Sequence, residues 1–175
     1  MQYFAITVFF YNPNIYPEEE FYKRLNEQER LIGEYNRADV LSYELNGKNI
    51  TKTRCEEISL AVPPYEHDEF LSFVKGLEAE KEGGKRCEEC FRLRLSRSYA
   101  YAKEHGFDYF GTTLSVSPHK NAVLLNEIGT SFLDPPAFLL SDFKKKEGYK
   151  TSILLSKKFD LYRQNYCGCE FSFHD

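Results

Sequence analysis

The sequence predicts an α/β protein, with a mainly parallel sheet between two layers of helices in a three-layer, Rossmann-like arrangement and a single domain over residues 1–175. Three observations predict it. Short apolar runs alternate with segments whose apolar residues recur at helical spacing. One strand-like run ends in Thr112 and Thr113 and passes into a helix start, the join at which open α/β sheets bind ligands. No repeat or linker divides the chain, and its 175 residues are enough to bury one core.

The elements follow in order. Phe4 to Phe10 is nearly continuous apolar, which predicts a strand buried on both faces with a neighbour on each side. Tyr11-Asn12-Pro13-Asn14 breaks it as a turn. Pro17 followed by Glu18, Glu19 and Glu20 opens a helix with its acids at the positive end of the dipole, and Phe21, Leu25, Leu31 and Ile32 supply its inward stripe. Leu41 to Leu45 reads as a short strand and Asn46-Gly47 as a turn. Phe70, Phe73, Val74 and Leu77 lie at helical spacing, and Gly83-Gly84 ends that helix. Phe91, Leu95 and Ala102 repeat the pattern up to Gly106, which places Cys90 in a first turn. Phe107 to Leu114 is the next strand. Ser117 then caps a helix with Pro118 at its first position and Leu124, Leu125 and Ile128 on its inner side. Pro135-Pro136 marks a loop, and a last helix covers 152–159.

Fifteen Phe and thirteen Tyr with no Trp give an aromatic-rich core. No apolar run approaches the roughly eighteen residues of a membrane span, and the start does not resemble a signal peptide. The expectation is a cytoplasmic protein without membrane contact, in a compartment where paired cysteines serve metal or redox chemistry more often than structural bridges. A net charge of −4 gives no overall pull toward nucleic acid. Lys144, Lys145, Lys146, Lys150, Lys157, Lys158 and Arg163 nevertheless form a basic stretch, either a solvated face or a contact to phosphate backbone. Arg92, Arg94 and Arg97 divide in the same way between exposed helix charge and a grip on an anionic partner.

Four of the five cysteines stand in two short pairs, Cys87-Glu88-Glu89-Cys90 and Cys167-Gly168-Cys169. A two-residue spacer lets both thiolates of the first pair turn toward one metal or cluster. An exchange dithiol needs an electropositive setting, which Glu88 and Glu89 oppose and Lys85 and Arg86 partly restore. Two inert buried thiols are the plain alternative. The second pair is too tight for a relaxed disulfide, so a bridge there is strained and easily reduced, the profile of a redox pair. Two further metal ligands, completing a four-sulfur zinc or iron site with the first pair, fit the spacing as well. Cys55 stands alone and reads as an ordinary residue. Ser117 reads as a cap on structural grounds, while His119 and Lys120 beside it suit phosphate or proton transfer.

On these segments the chain resembles the QueH-type epoxyqueuosine reductases over essentially its whole length. The motifs are Phe-Phe-Tyr-Asn-Pro-Asn-Ile at 9–15, Lys-Arg-Cys-Glu-Glu-Cys at 85–90, Thr-Thr-Leu-Ser-Val-Ser-Pro-His-Lys-Asn at 112–121 and Leu-Tyr-Arg-Gln-Asn-Tyr-Cys-Gly-Cys at 161–169. The resemblance implies a cytoplasmic, oxygen-sensitive iron–sulfur enzyme that removes the epoxide oxygen of epoxyqueuosine at the wobble position of tRNA, the last step of queuosine formation. It implies Cys87 and Cys90 as two ligands of a 4Fe–4S cluster and Cys167 and Cys169 as the redox-active pair, with an additional iron whose ligands it does not place. Substrate contacts are then expected at Ser117, His119, Lys120 and Arg163, and tRNA backbone contacts at Lys144, Lys145, Lys146 and Lys150. An electron donor is required. An aerobically prepared sample is expected to be apo or to carry zinc in place of iron, unless Cys167 and Cys169 complete the cluster.

The family pattern opens with a strand ending in two adjacent cysteines, then Ala-Pro and a Cys or Asp, which supply the remaining cluster ligands; nothing of this kind precedes Met1. The expectation is a shortened chain in which a complete cluster lacks two of its four usual thiolates. Such a chain leaves an apolar strand edge open, so a homodimer or marginal stability is expected. Deoxygenating an epoxide consumes two electrons and calls for a Lewis acid on the departing oxygen, and an iron centre offers both, with the 167/169 couple holding electrons between turnovers. The rival reading is a zinc-stabilised, non-redox tRNA-binding module with the four cysteines as a closed structural site.

Overall fold

The computed structural model describes residues 4–38, 40–45, 47–53 and 56–172. In chain order the elements are β1 (Ile6–Phe9), α1 (Glu18–Arg37), β2 (Val40–Leu45), β3 (Lys48–Thr53), β4 (Ile58–Ala61), α2 (His67–Phe73), α3 (Lys85–Glu104), β5 (Tyr109–Phe110), α4 (Ala122–Thr130), β6 (Ala137–Phe138) and α5 (Gly148–Lys158), with 3₁₀ turns at Leu114–Val116 and Glu170–Ser172. This is a mixed α/β protein. Among the described residues its strands pair by twos: β1 with β4 in parallel, β5 with β6 in parallel, and β2 with β3 as an antiparallel hairpin. No helix among the described residues is long and apolar enough to cross a membrane.

The first strand departs from its sequence pattern. β1 runs from Ile6 against Ile58 to Phe9 against Ala61, and the pairing extends through the Phe10 N–H to the Ala61 carbonyl at 2.9 Å. Its other edge has no strand bonded to it among the described residues. Phe4 and Ile6 are accordingly 47% and 40% exposed, not buried on both faces. Burial begins at the far end, where Phe9 stacks on Tyr101 of α3 with ring centres 4.5 Å apart and Phe10 packs edge-on against Phe21 of α1 at 5.4 Å.

The helices follow their sequence signals more closely. α1 starts directly after Pro17 with three acids in its first turn and buries Phe21, Leu25 and Ile32. α3 buries Phe91, Leu95 and Ala102, which meet Phe110, Leu125 and Ile128 in one core cluster. A second cluster joins Tyr11, Phe70, Val74 and Leu93 to Cys90 and Cys169, and a third joins Phe10, Ile15, Phe21 and Leu25. α2 is shorter than read, because the chain leaves the helix at Val74 and turns at Gly76 before reaching Gly83. Only Tyr109 and Phe110 of the expected 107–114 strand pair with a neighbour, and the chain then coils into the turn at Leu114–Val116. α4 begins four residues after the predicted Pro118. Its cap is Asn121, whose Oδ1 accepts the Val123 and Leu124 N–H groups at 3.0 and 3.2 Å. Cys55 and Asn46, the first residue of the expected turn, lie outside the described residues; Gly47 after it adopts φ +73°.

Leu125 is fully buried at the centre of the first cluster. Leu125→Ala should lower folding stability by about 2–5 kcal/mol through lost apolar burial and the cavity left behind, read from urea unfolding.

Candidate thiol site

The site is built on the start of α3. Gly83, at φ +87°, closes the preceding turn and Gly84 occupies the cap position, so the helix begins at Lys85. Cys87 therefore falls in the first turn and Cys90 one turn further in, which corrects the placement of Cys90 in the first turn. The Gly83 N–H donates to Cys87 Sγ at 3.2 Å. The two sulfurs are buried in different clusters. Cys87 packs with Phe91 and Leu95, whereas Cys90 packs with Tyr11, Phe70 and Cys169.

Cys169 is how the second motif reaches the first. The chain returns from α5 along α1 and turns at Gly168, at φ +103°, where a Cβ would meet Ile15 Cγ1 at 2.8 Å and Arg24 Nη1 at 3.1 Å. Only glycine suits both the dihedral and the space. The backbone there is gripped from one side. Arg24 donates to the carbonyls of Tyr166 and Cys167, both at 3.3 Å, and the Tyr16 N–H donates to the Gly168 carbonyl at 2.8 Å. The sulfurs turn the other way, Cys169 into the cluster with Cys90 and Cys167 half-buried against it. All four cysteines are free thiols. Burial pushes the Cys90 thiol up to about 12, with the neighbouring cysteines adding to the rise. Burial also raises the Cys169 thiol, against which the Arg86 guanidinium acts.

Arg86 is a residue that sequence reasoning passed over except as local charge. It is 1% exposed. One terminal nitrogen donates to the carbonyls of Glu78, at 2.7 Å, and Glu80; the other reaches the Phe171 carbonyl at 3.4 Å and Ser172 Oγ at 3.1 Å. It thereby ties the loop before the first cysteine motif to the turn after the second. Its signal was present in the sequence, since 86, 90 and 93 are one buried helical stripe.

Lys120 is brought to the thiols as well. Its ammonium bonds Glu82 at 3.0 Å with its side chain only 11% exposed, and lies 6.0 Å from the ring centre of Phe91. Burial opposes the charge, but the neighbouring Cys167 sulfur together with the Glu82 carboxylate raises the ammonium above its ordinary value. Ser117 and His119 stand one turn before α4, with the Ser117 hydroxyl accepting the His119 N–H at 3.3 Å and the His119 side chain exposed. Arg163 is exposed and donates to Ser156 Oγ at 2.9 Å. The lysine run divides. Lys144 turns inward onto the Ser115 and Lys120 carbonyls, Lys145 and Lys146 are exposed, and Lys150 pairs with Glu147.

Two polar groups missed in the sequence close the site. His67 Nδ1 donates to the Pro13 carbonyl and Nε2 faces the Glu170 carboxylate, both at 2.7 Å. Tyr11, buried against Cys90, donates to Glu69, which Arg97 also grips. Arg97, Tyr11, Phe9 and Tyr101 border a cavity of about 280 Å³ on the outer side of Tyr11. As the donors stand, no three Cys, His, Asp or Glu side chains among the described residues are grouped closely enough to hold a metal ion. The chemistry of Cys87 and Cys90 suits a soft metal or a cluster, but the donor set gathered here does not complete a site for one.

Two cysteine motifs meeting at the start of one helix, in an α/β scaffold, define a thiol-centred protein. The sequence model described as epoxyqueuosine reductase QueH matches residues 1–175. The chain is 39% identical over 175 residues to the epoxyqueuosine reductase QueH of Staphylococcus aureus, covering 98% of this chain and 67% of that one. It is 36% identical to the one from Streptococcus pyogenes, covering 98% and 62%, and 33% identical to the one from Thermotoga maritima, covering 94% and 77%. It spans about two thirds of the length of the first two of these relatives. The chain belongs to the epoxyqueuosine reductase QueH family.

Cys167 is half-buried while Cys87, Cys90 and Cys169 are buried. Limited iodoacetamide at pH 8 should therefore label Cys167 before Cys87, Cys90 and Cys169, as read by peptide mass spectrometry.

Proposed function

We propose that this chain reduces epoxyqueuosine to queuosine at the wobble position of tRNA, as a cytoplasmic, iron–sulfur-dependent oxidoreductase. Membership of the QueH family supports the reaction. The observation that carries the assignment of residues is the convergence of Cys90, Cys167 and Cys169 on one cluster beside Cys87. In this reading the chain is one three-layer, Rossmann-like domain, with the thiols near the C-terminal end of β1.

Cys167 and Cys169 are the proposed reductant of the organic step. Epoxide deoxygenation takes two electrons and two protons. Two S–H bonds break, one S–S bond forms, the carbon–oxygen bonds give way to an alkene, and the oxygen leaves as water. Cys167, the more accessible thiol, faces the substrate, and Cys169 closes the bridge. A donor dithiol must then reduce it. Lys120 places a positive charge beside these thiols, and Ser117, His119 and Arg163 are assigned to the substrate at the mouth of the site. Cys87 and Cys90 are the proposed thiolates that would hold a 4Fe–4S cluster, which when bound would supply Lewis acidity to the departing oxygen; they provide two of the roughly four thiolates such a cluster takes. An additional iron and a homodimer belong to the same proposal.

Metal and sulfide analysis with an anaerobic visible spectrum tests the assignment. Iron with acid-labile sulfide supports it. Stoichiometric zinc without sulfide absorption would instead make the protein a zinc-stabilised tRNA-binding module. In a protein loaded with iron, Cys87→Ser and Cys90→Ser should each abolish iron retention, because a hydroxyl replaces thiolate poorly on a soft centre. Cys167→Ser and Cys169→Ser should keep the iron and lose multiple turnover; loss of iron from either would make them ligands.

Of the basic stretch, Lys145, Lys146 and Lys150 are proposed to meet tRNA phosphate, since a chain of net charge −4 holds a polyanion only through a local positive face, while the inward-turned Lys144 is left to the fold. Lys145 and Lys146 are the exposed members least engaged within the chain. Replacing both with Gln should weaken tRNA binding and reduce the slope of log affinity against log salt by about one to two. An unchanged slope returns the run to a solvated surface.

A further inference from the structure

We propose that Arg24, held by Glu20 and Tyr162, is a positioning residue that keeps the Cys167–Cys169 pair in its dithiol form. The inference rests on the reading of that pair as a redox couple.

Arg24 lies on α1, more than 140 positions before the residues it grips. Its Nε donates to Glu20 Oε1 at 2.7 Å, and both side chains are only 11% exposed. Glu20 is fixed in turn by the Tyr162 hydroxyl, at 3.1 and 3.2 Å from its two oxygens. With the guanidinium plane set from behind, its two terminal nitrogens reach the Tyr166 and Cys167 carbonyls, and its face lies 5.1 Å from the Tyr166 ring centre. Asn14 Nδ2 adds a contact at 3.5 Å to the Cys167 carbonyl, and the Tyr16 N–H takes the Gly168 carbonyl. Three successive carbonyls therefore point toward α1 and the 14–16 segment, while the sulfurs face α2 and α3.

The consequence is a restraint on oxidation. Closing a bridge across a single intervening residue requires the backbone from 166 to 169 to rotate out of a relaxed geometry. Rotation here would break the charge-assisted bonds that Arg24 makes, in a site where water replaces them poorly. Those bonds are present with the dithiol and are lost or weakened in the bridged form, so they shift the equilibrium toward the dithiol. Such a pair, once it has given two electrons and two protons to an acceptor and formed its bridge, is readily re-reduced by an external dithiol. A lysine cannot reproduce the effect, because one ammonium has no fork to span two carbonyls and the Glu20 carboxylate together.

The full chain is equilibrated anaerobically with reduced and oxidised glutathione over a range of ratios, quenched by alkylation, and the 167–169 bridge is quantified by mass spectrometry. In each exchange one glutathione disulfide is consumed, one protein disulfide forms and two glutathione thiols are released. Arg24→Met is expected to raise the equilibrium constant for bridge formation about tenfold, which is about 30 mV for a two-electron couple. Arg24→Lys should recover only part of the difference, and Tyr162→Phe, the mildest change, should move the constant a few-fold in the same direction. Leu125→Ala, which destabilises the fold elsewhere, should leave the constant unchanged. Wild-type values in both Arg24→Lys and Tyr162→Phe would overturn the inference, whether or not Arg24→Met folds. So would a shift of equal size in Leu125→Ala, which would make the effect one of general stability. If the wild-type chain forms no 167–169 bridge at any ratio, the redox reading of the pair falls, and this inference with it.

Discussion

A guanidinium sealed from water must find oxygen acceptors for its N–H groups, because burying the charge without them costs several kcal/mol. Arg86 meets that requirement by drawing on two segments that are remote in sequence, the 78–80 loop and the turn at 171–172. The demand of one side chain thus fixes where both cysteine motifs lie. Cys87 follows it directly, Cys90 lies on the same helical stripe, and Cys169 precedes the turn that Arg86 holds. A neutral residue in its place would leave those carbonyls turned inward with no donor and would loosen the relation between the two pairs. Its Nε has no hydrogen-bond partner among the described residues.

The parts of the fold legible in the sequence were those with a local physical cause. α1 follows from Pro17, three acids and a stripe of apolar residues, and α3 from Phe91, Leu95 and Ala102; both form where their own residues direct. β6 escaped notice because two residues, Ala137 and Phe138, carry no period, and their extended form comes from pairing with β5. The start of α4 was misplaced because Ser117-Pro118 has the right chemistry for a cap. Asn121 prevails because the 3₁₀ turn at Leu114–Val116 delays the chain and lets Oδ1 reach two amides at once. At β1 apolar content reports what a strand is able to bury and not whether a partner is present on each side, and the edge expected to stand open has no strand bonded to it among the described residues.

The site divides along the same line. The cysteine spacings marked the side chains that the fold gathers beside α3, because the spacing itself is the signal. Their supports were invisible for a related reason: Arg24 with Glu20 reads in sequence as an ordinary surface pair one helical turn apart, and nothing local shows that the guanidinium faces the 166–167 carbonyls. His67 and Glu170, 103 positions apart, present the same problem. The basic stretch shows the converse failure, in which a uniform run conceals different roles. Lys144 serves the fold through two carbonyls while Lys145 and Lys146 remain outside.

On the proposed redox reading, the 167/169 pair must satisfy two opposed conditions, access for the substrate and shelter from indiscriminate oxidation. The protein meets them by treating the two sulfurs differently. Cys169 is buried among Tyr11, Phe70 and Leu93, where burial raises its thiol and keeps it out of reach, and Cys167 is left half-buried at the edge of the same cluster. Gly168 makes the asymmetry feasible, since its φ of +103° turns one sulfur inward and leaves the other at the margin. The supports arrive from opposite directions, Arg24 and Tyr16 on the carbonyl side and Arg86 and His67 beyond Cys169. The motif is therefore held at both ends with its thiols between them. Motion that brings the sulfurs together must work against α1 on one side and the 171–172 turn on the other, which makes the scaffold, and not the two cysteines alone, the element that sets how readily the pair reacts.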